Sequence, residues 1–201
     1  MLKDTVVTDN AQDKGQRNMR WQEIDWKEVT RVVRQLQSRI VKAEKEGDSA
    51  KAQRLRSLLL HSLSAKLQAV RRVVSNRGKR TAGVDGVVWN TPQAKMKAAL
   101  NLGRKGYKAY PLRRVYIPKA GSKKRVRPLG IPTMKDRALQ ALYALALDPI
   151  AETYADENSY GFRKLRGTAD AIAQSFNVLS QTHSPVWIWK VDVKGFYDNL
   201  D

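Results

Sequence analysis

Cysteine is absent from the 201-residue sequence, which excludes disulfides, thiolate zinc sites and cysteine nucleophiles and is compatible with a reducing cytosol. No apolar run approaches the roughly 18 residues that a membrane-spanning helix needs. The first twenty residues are polar and of mixed charge, so they are not a signal peptide, and we expect residues 1–20 to be a flexible tail. With 42% hydrophobic and 28% charged residues, the composition is typical of a folded protein.

Acidic residues are almost missing from the middle of the chain. Between Asp48 and Asp136 there are 22 Lys and Arg residues and a single acid, Asp85, so the net charge of +19 arises in this one stretch. Such a field repels itself unless a polyanion neutralises it, and nucleic acid is the polyanion that the pattern favours. The alternatives are a solvated basic face and an anionic membrane surface, although no amphipathic membrane anchor is evident.

Helical periodicity dominates residues 21–102. Five apolar residues define one face of a first helix: Trp26, Val29, Val33, Leu36 and Ile40. After a break at residues 47–49, a second stripe is formed by Ala52, Leu55, Leu59, Leu63, Leu67, Val70 and Val74. The short break predicts an antiparallel helical hairpin whose outward cations can meet phosphate. A basic, glycine-rich loop should follow over residues 77–90, and then a third helix over residues 92–102.

A basic β-hairpin is predicted around residues 112–129. Residues 112–117 contain the β-branched and aromatic side chains of a strand, residues 118–122 form a turn, and residues 125–129 return as a second strand. Seven cations could clamp a triphosphate or a nucleic-acid backbone here: Arg113, Arg114, Lys119, Lys123, Lys124, Arg125 and Arg127. A generic basic hairpin of the kind found in ribosomal proteins is the alternative.

The remaining residues predict two helices and a strand. The helices cover residues 136–154, with a kink at Pro149, and residues 168–179, with Ile172, Phe176 and Leu179 facing inward. The apolar run 186–193 predicts a buried strand that carries Asp192 near its end. A buried carboxylate needs a metal, an arginine or a capping role to compensate its charge. The spacing alone leaves Asp192 as either a turn cap or a metal ligand, and it favours capping roles for Asp198 and Asp201.

Four strings in this sequence resemble a known family. They are NRGKRTAGVDG (76–86), RRVYIPKAGSKKRVRPLGIPTMKDRALQ (113–140), SYGFRKLRGTADAI (159–172) and KVDVKGFYDNLD (190–201). In this order and spacing they resemble the N-terminal, fingers and early palm blocks of group II intron reverse transcriptases, also called maturases. The resemblance implies an α+β fold: an RNA-binding helical extension over 21–90, helix-rich fingers with the basic hairpin over 91–185, and the start of a right-hand polymerase palm over 186–201.

The resemblance also implies roles for individual residues. Asp192 matches the first of three catalytic aspartates that hold two Mg²⁺ ions, with the carbonyl of Val193 as a further ligand. Phe196 and Tyr197 match the floor under the nucleotide sugar. The matches to the cations that hold the incoming triphosphate are Arg113, Lys119 and Arg127. The residues expected to contact RNA are Arg54, Arg71, Arg72, Arg77, Lys79, Arg80, Arg114, Lys123, Lys124, Arg125 and Arg163.

The implied partners are group II intron RNA, an RNA template with a DNA primer, and dNTPs, with no membrane, in a bacterial cytoplasm or an organelle. The family's second catalytic motif, an aromatic-x-Asp-Asp turn, does not occur in residues 1–201. We therefore expect this chain alone to be inactive in synthesis, and its palm strand edge to favour self-association. The alternatives are a non-catalytic, maturase-like RNA-binding cofactor and a reverse transcriptase of the retron, diversity-generating or CRISPR-associated class.

Overall fold

Six α-helices and one β-hairpin make up the part of the chain that the computed structural model describes, residues 20–103, 106–118, 121 and 126–193. A 3₁₀ turn at Trp21–Glu23 precedes the helices. The helices are α1 (Trp26–Lys45), α2 (Ser49–His61), α3 (Leu63–Ser75), α4 (Pro92–Leu100), α5 (Met134–Tyr154) and α6 (Thr168–Leu179). The strands are β1 (Arg113–Pro118) and β2 (Val126–Ile131). The chain divides into two units, Met1–Tyr154 and Ala155–Asp201.

The helical hairpin predicted from the first apolar stripe is present. Asp25 caps α1 by accepting hydrogen bonds from two backbone N–H groups of the first turn, at 2.9 and 3.2 Å. Gly47 ends the helix with a φ of +71°, where a side chain would be strained. Asp48 then caps α2 by accepting from the N–H of Lys51 at 2.9 Å. Caps on both sides of a short turn hold α1 and α2 side by side.

The second predicted helix is two helices, which corrects the sequence interpretation. Ser62 is extended (φ −61°, ψ 129°) and separates α2 from α3. Its N–H still bonds to the carbonyls of Leu58 and Leu59, and its own carbonyl accepts from Lys66, so little backbone hydrogen bonding is lost at the break. Apolar periodicity did not reveal the break, because the spacing of Leu59, Leu63 and Leu67 continues across Ser62 without interruption.

Helices α3 and α5 form the centre of the first unit: α3 packs against α1, α2, α4 and α5, and α5 packs against α1, α2 and α3. The inward side of α5 carries small and apolar residues. The surrounding helices supply large, fully buried side chains such as Ile40, Leu59 and Val70. Helix α4 packs on α3 and also meets the initial 3₁₀ turn. The apolar stripes of the sequence therefore form one shared core, which favours folding through loss of apolar surface from water.

Pro149 lies inside α5 without breaking it. A proline has no N–H, so the carbonyl of Leu145, four residues earlier, loses its usual helical donor. The side-chain amide of Gln37 on α1 donates to that carbonyl at 2.8 Å. This contact replaces the missing bond and connects α1 to α5. The structure keeps Met134–Tyr154 as a single helix, and the kink expected at Pro149 stays a prediction.

The start of α5 joins several parts of the first unit. Thr133 accepts a hydrogen bond at its Oγ1 from the N–H of Asp136 at 3.1 Å, and Asp136 accepts from the N–H and hydroxyl of Thr133 at 3.2 and 2.7 Å. This is a reciprocal capping box. The buried Asp136 also accepts from the hydroxyl of Tyr107, in the segment before β1. Gly83 packs directly against the backbone of Thr133, which fixes the preceding basic loop on the same helix end.

The β-hairpin matches its predicted position. Strands β1 and β2 pair antiparallel, with Arg113 opposite Ile131, Val115 opposite Leu129 and Ile117 opposite Arg127. Paired residues project to the same face of an antiparallel ladder. Most of the hairpin is exposed, and β2 leads through Pro132 directly into the capping box of α5. The hairpin therefore extends from the helical core at a fixed attachment point.

In the second unit, two predictions are wrong. Helix α6 forms as predicted, but Ile172, Phe176 and Leu179 are 69%, 69% and 42% exposed rather than inward. Residues 186–193 form no strand, and the side chains of Trp187 and Trp189 are 92% and 90% exposed. A strand needs a neighbour for its backbone groups, and the only sheet in the described residues is β1–β2 of the first unit. The sheet edge that we expected to drive self-association is accordingly not formed in these residues.

Among the described helices, none combines the length and apolarity that crossing a bilayer would require.

The contact between Gln37 and Leu145 generates a stability prediction. Replacing Gln37 by Leu should leave the buried carbonyl of Leu145 without its donor and lower the free energy of unfolding by about 1–3 kcal/mol. In a Pro149→Ala background the helix supplies its own N–H, and the same substitution should cost much less. Urea unfolding of the four chains of this cycle measures the difference. An equal cost in both backgrounds would contradict the compensating role of Gln37.

The approach of Gly83 to Thr133 generates a second stability prediction. A Cβ at Gly83 would lie 2.7 Å from both the Cα and the N of Thr133, so Gly83→Ala should displace the backbone and destabilise the fold by about 1–3 kcal/mol. Gly103 offers a matched control, because a Cβ there meets no atom within 4 Å. Thermal unfolding should show a lower Tm for Gly83→Ala and little change for Gly103→Ala.

Candidate nucleic-acid interface

The cations of the basic stretch lie on the surface of the first unit. None of the Lys and Arg residues described between Asp48 and Asp136 is buried. The predicted contact residues that are exposed are Arg54, Arg71, Arg72, Arg77, Lys79, Arg80, Arg113, Arg114 and Arg127. Lys119, Lys123, Lys124 and Arg125 lie outside the described residues, as do Phe196 and Tyr197. A helical core with its cations outward provides a positive surface, which is the arrangement that phosphate binding requires.

The basic loop, residues 77–90, contains a tight turn that presents two cations. The N–H of Thr81 donates to the carbonyl of Gly78 at 3.0 Å, which closes a β-turn whose central residues are Lys79 and Arg80. A second bond runs from the N–H of Lys79 to the carbonyl of Asn76 at 3.2 Å. Both central side chains are exposed. The local hydrogen bonding therefore places two adjacent positive charges at the tip of an ordered turn.

Arg137 of α5 holds this turn from below. Its guanidinium donates to the carbonyl of Gly78 at 3.0 Å and also to the carbonyl of Thr81. Arg137 is partly buried, and that desolvation lowers its pKa, while the charge of Asp85 acts in the opposite direction. Arginine keeps its proton in proteins despite such shifts, so the group remains a charged donor. Arg137, which lies just after the basic stretch, thus has its donors bound to backbone carbonyls.

The register of the hairpin separates its cations between two faces. Arg113 and Arg127 lie on the same face as Val115, Ile117, Leu129 and Ile131, because paired residues share a side. Arg114 projects from the opposite face, with Tyr116. All three arginines are exposed. The two described cations predicted to hold a triphosphate therefore share one face, and the one predicted to contact RNA lies on the other.

A second positive surface is a groove beside α1. It is an open groove of about 1190 Å³ that includes Lys27, Arg31, Arg34, Arg39 and Arg71 among its lining residues. The Arg71 guanidinium stacks 4.5 Å from the centre of the Trp26 ring, and Trp21 meets Trp26 edge to face at 5.0 Å. Stacking orients Arg71 while leaving it exposed, so this predicted contact residue is both packed and accessible.

One of the cations that line the groove, Arg31, is already paired with a carboxylate. Arg31 donates two hydrogen bonds to the carboxylate of Glu28, at 2.6 and 2.7 Å. Hydrogen bonding from Arg31 lowers the pKa of Glu28, and the pair keeps Glu28 charged over a wide pH range. The pair is exposed and of low energetic value. The remaining groove cations are the ones positioned to attract an anionic chain.

Arg163 of the second unit has a local structural role. Its guanidinium donates to the carbonyl of Ser159 at 3.0 Å and also to the carbonyl of Asp156. The residues on either side of Arg163 include Phe162 and Leu165 with φ of 61° and 59°, a left-handed conformation that is uncommon for such side chains. The Arg163 guanidinium supports a loop whose backbone conformation is unfavourable. Arg163 is half-buried, so part of its side chain is exposed.

Asp192 lies in an exposed segment of the second unit that is neither helix nor strand. Within the described residues it takes part in no salt bridge, and the neighbouring Val193 is 61% exposed. Carboxylate and carbonyl oxygens are donors that Mg²⁺ prefers. However, the described residues contain no group of three or more His, Cys, Asp or Glu that could hold a metal ion. Asp192 and Val193 therefore supply the right kind of donor for part of a site, but not a two-ion site by themselves.

Sequence reasoning missed the residues that support the basic loop. Arg137 was only one of many cations in a basic string, and nothing in its spacing distinguishes a carbonyl clamp from a phosphate contact. A signal for the helix start was available, because Thr133 and Asp136 form the Thr-x-x-Asp pattern of a capping box before an apolar run. Recognising it would have moved the start of α5 from residue 136 to residue 134.

Comparison with known proteins assigns both halves of the chain. Residues 21–102 match a family model described as the N-terminal domain of reverse transcriptase, and residues 117–201 match one described as reverse transcriptase (RNA-dependent DNA polymerase). The basic loop and α4 fall in the first match, and most of the hairpin, α5, α6 and Asp192 fall in the second.

Individual relatives agree with these matches. The chain is 35% identical to Protein YkfC of Escherichia coli over 141 residues, which is 66% of this chain and 36% of that protein. It is 33% identical over 135 residues to the Group II intron-encoded protein LtrA of Lactococcus lactis, covering 66% of this chain and 22% of that protein. A 31% identity over 104 residues relates it to the Putative COX1/OXI3 intron 1 protein of Saccharomyces cerevisiae, covering 52% and 12%. The chain thus spans about a third or less of the length of these relatives. Two family models in sequence order and relatives of this kind show that the chain belongs to the reverse transcriptases, of the group II intron-encoded type.

Proposed function

We propose that this chain provides the RNA-binding extension, the fingers and the first palm segment of an RNA-directed DNA polymerase encoded by a group II intron. Its partners are the intron RNA and an RNA template with its DNA primer. By binding intron RNA, it also assists splicing and retrohoming. The observation that carries this proposal is the basic surface of the first unit, where none of the described cations of the basic stretch is buried, in a chain of the reverse transcriptase family.

Recognition of RNA on this surface is through phosphate and shape. The exposed groups are guanidinium and ammonium groups, whose contacts to phosphate oxygens carry no information about base sequence. Folded RNA is usually bound through its backbone, 2′-hydroxyls and overall form. The turn at Lys79 and Arg80, the groove beside α1 and the hairpin give three positive surfaces on one unit. Together they suit a long, structured polyanion better than a single small anion.

The hairpin and Asp192 are proposed to serve the polymerase reaction. Arg113 and Arg127, on one face of the hairpin, would hold the triphosphate of an incoming dNTP together with Lys119. Asp192 would contribute one carboxylate, and Val193 a carbonyl, toward Mg²⁺. When bound, two such ions activate the primer hydroxyl and stabilise the leaving pyrophosphate. Asp192 is exposed, so its carboxylate is accessible to a ligand, which supports this role.

RNA binding by the turn generates the third prediction. For about four phosphate contacts, affinity for a short single-stranded RNA should fall roughly 50-fold between about 50 mM and about 200 mM salt, since the slope is about −0.7 per contact for single strands. Substituting Lys79 and Arg80 together by Ala should make that slope shallower by about 1.4. Fluorescence anisotropy at several salt concentrations measures both quantities.

A matched control for this experiment is available on α1. Lys42 and Lys45 lie outside the basic stretch, in the last turn of the helix, beside Glu44 and Glu46. Their double substitution by Ala removes the same charge and should leave the slope nearly unchanged. A flat salt dependence in the unsubstituted chain, or an equal effect of both double variants, would refute a specific basic surface.

The role of Asp192 generates the fourth prediction. In a form of the protein that synthesises DNA, Asp192→Ala should abolish primer extension on an RNA template, because a catalytic metal ligand is lost. RNA affinity should stay within about twofold, since a carboxylate does not contact phosphate directly. Glu157→Ala, at another exposed acid of the same unit, is the control and should extend primers normally. Synthesis that survives Asp192→Ala would favour the alternative of an RNA-binding cofactor in which this residue has no catalytic role.

A further inference from the structure

We propose that Arg137 is a positioning residue for RNA, because it clamps both ends of the Gly78–Thr81 turn and so sets the direction in which Lys79 and Arg80 project. The inference rests on the proposed function, since phosphate contact by these two cations is part of it. Arg137 itself acts through the turn and does not need to touch RNA.

The two carbonyls that Arg137 contacts are the first and last of the turn. The carbonyl of Gly78 accepts from the N–H of Thr81 at 3.0 Å and from the Arg137 guanidinium at 3.0 Å, so it serves two donors. The carbonyl of Thr81 accepts from the other end of the same guanidinium. A planar fork of donors can bridge two fixed acceptors, and a lysine ammonium cannot do so with the same geometry. One side chain therefore closes the turn at its base.

The position of Arg137 suits a clamp better than a phosphate contact. The side chain is half-buried, and its terminal donors already face backbone carbonyls. Lys135, two residues earlier on α5, provides a contrast. It is exposed, and its ammonium lies 5.3 Å from the centre of the Tyr107 ring. A cation that is to bind an external phosphate keeps its donors accessible, as Lys135, Lys79 and Arg80 do.

The first turn of α5, which positions Arg137, is itself fixed. The capping box between Thr133 and Asp136 sets the first turn of α5, and Asp136 is buried beneath the hydroxyl of Tyr107. On the other side of the loop, Gly83 lies against Thr133. The basic loop is thus held at two places on one rigid helix end, before and after the segment that carries its exposed cations.

Amide hydrogen exchange tests the clamp without any RNA. In the unsubstituted chain the N–H of Thr81 is bonded to the carbonyl of Gly78, so its exchange should be slow. Arg137→Ala should accelerate exchange at Thr81 by about tenfold or more, because the turn opens locally without global unfolding. Lys135→Ala removes the same charge from the same helix and should leave Thr81 unchanged. Arg137→Lys keeps the charge but loses the fork, and it should accelerate exchange as well.

RNA binding tests the consequence. Against a short RNA hairpin at fixed salt, Arg137→Ala should weaken binding about fivefold, and Lys135→Ala should weaken it less, if the turn delivers two phosphate contacts. The decisive measurement is a cycle with the Lys79 and Arg80 double Ala substitution. In the Arg137→Ala background this double substitution should have little further effect, because the turn no longer presents its cations in a fixed direction.

The outcomes separate the clamp from the proposed function. Unchanged exchange at Thr81 in both Arg137 variants, or fully additive effects on RNA affinity, would overturn the positioning role. If the Lys79 and Arg80 double variant binds RNA as tightly as the unsubstituted chain, the proposed RNA contact at the turn is wrong, whereas the exchange result still decides whether Arg137 clamps the turn. Should Arg137→Ala fail to fold, Arg137→Lys carries both measurements, because it retains the charge and the aliphatic stem.

Discussion

The first turn of α5 is the constraint on which the rest of the first unit depends. Thr133 and Asp136 satisfy each other's backbone and side-chain groups there, and the buried carboxylate of Asp136 also accepts from Tyr107. Strand β2 enters this turn from one side, and the basic loop is attached to it through Gly83 and Arg137. A buried carboxylate is tolerable only when its acceptors are satisfied, so these partners are mutually required. The hairpin, the basic loop and the helical core are therefore all attached at the first turn of α5.

The sequence predicted the elements whose signals are local. Capping residues and apolar spacing located α1, α4 and α6 within a few residues, and β-branched residues around a turn located the hairpin. The break at Ser62 and the support of Pro149 by Gln37 could not be predicted in this way. In the first case one extended residue leaves the apolar stripe intact. In the second, the partners are 108 residues apart, and only the folded packing brings them together.

Apolar content was a poor guide in the second unit. The run 186–193 has the composition of a buried strand, yet composition states only what a segment could bury, not whether a partner is present. In the described residues no second strand accompanies it, and its tryptophans are exposed.

In the candidate interface, by contrast, composition predicted the exposure of the cations correctly. Exposure of Lys79, Arg80 and Arg114 follows from charge alone, because unpaired cations are rarely buried, whereas the different task of Arg137 depends on which carbonyls happen to face it.

The closed turn at residues 78–81 has a consequence for the energetics of association. A flexible basic segment loses backbone and side-chain freedom when it meets a polyanion, and each ordered residue costs about 1–2 kcal/mol in conformational entropy. Here the backbone of Lys79 and Arg80 is already ordered by bonds made within the protein, so only their side chains remain to be immobilised. The backbone part of the ordering cost is therefore met during folding, which leaves a larger share of the electrostatic attraction available as affinity.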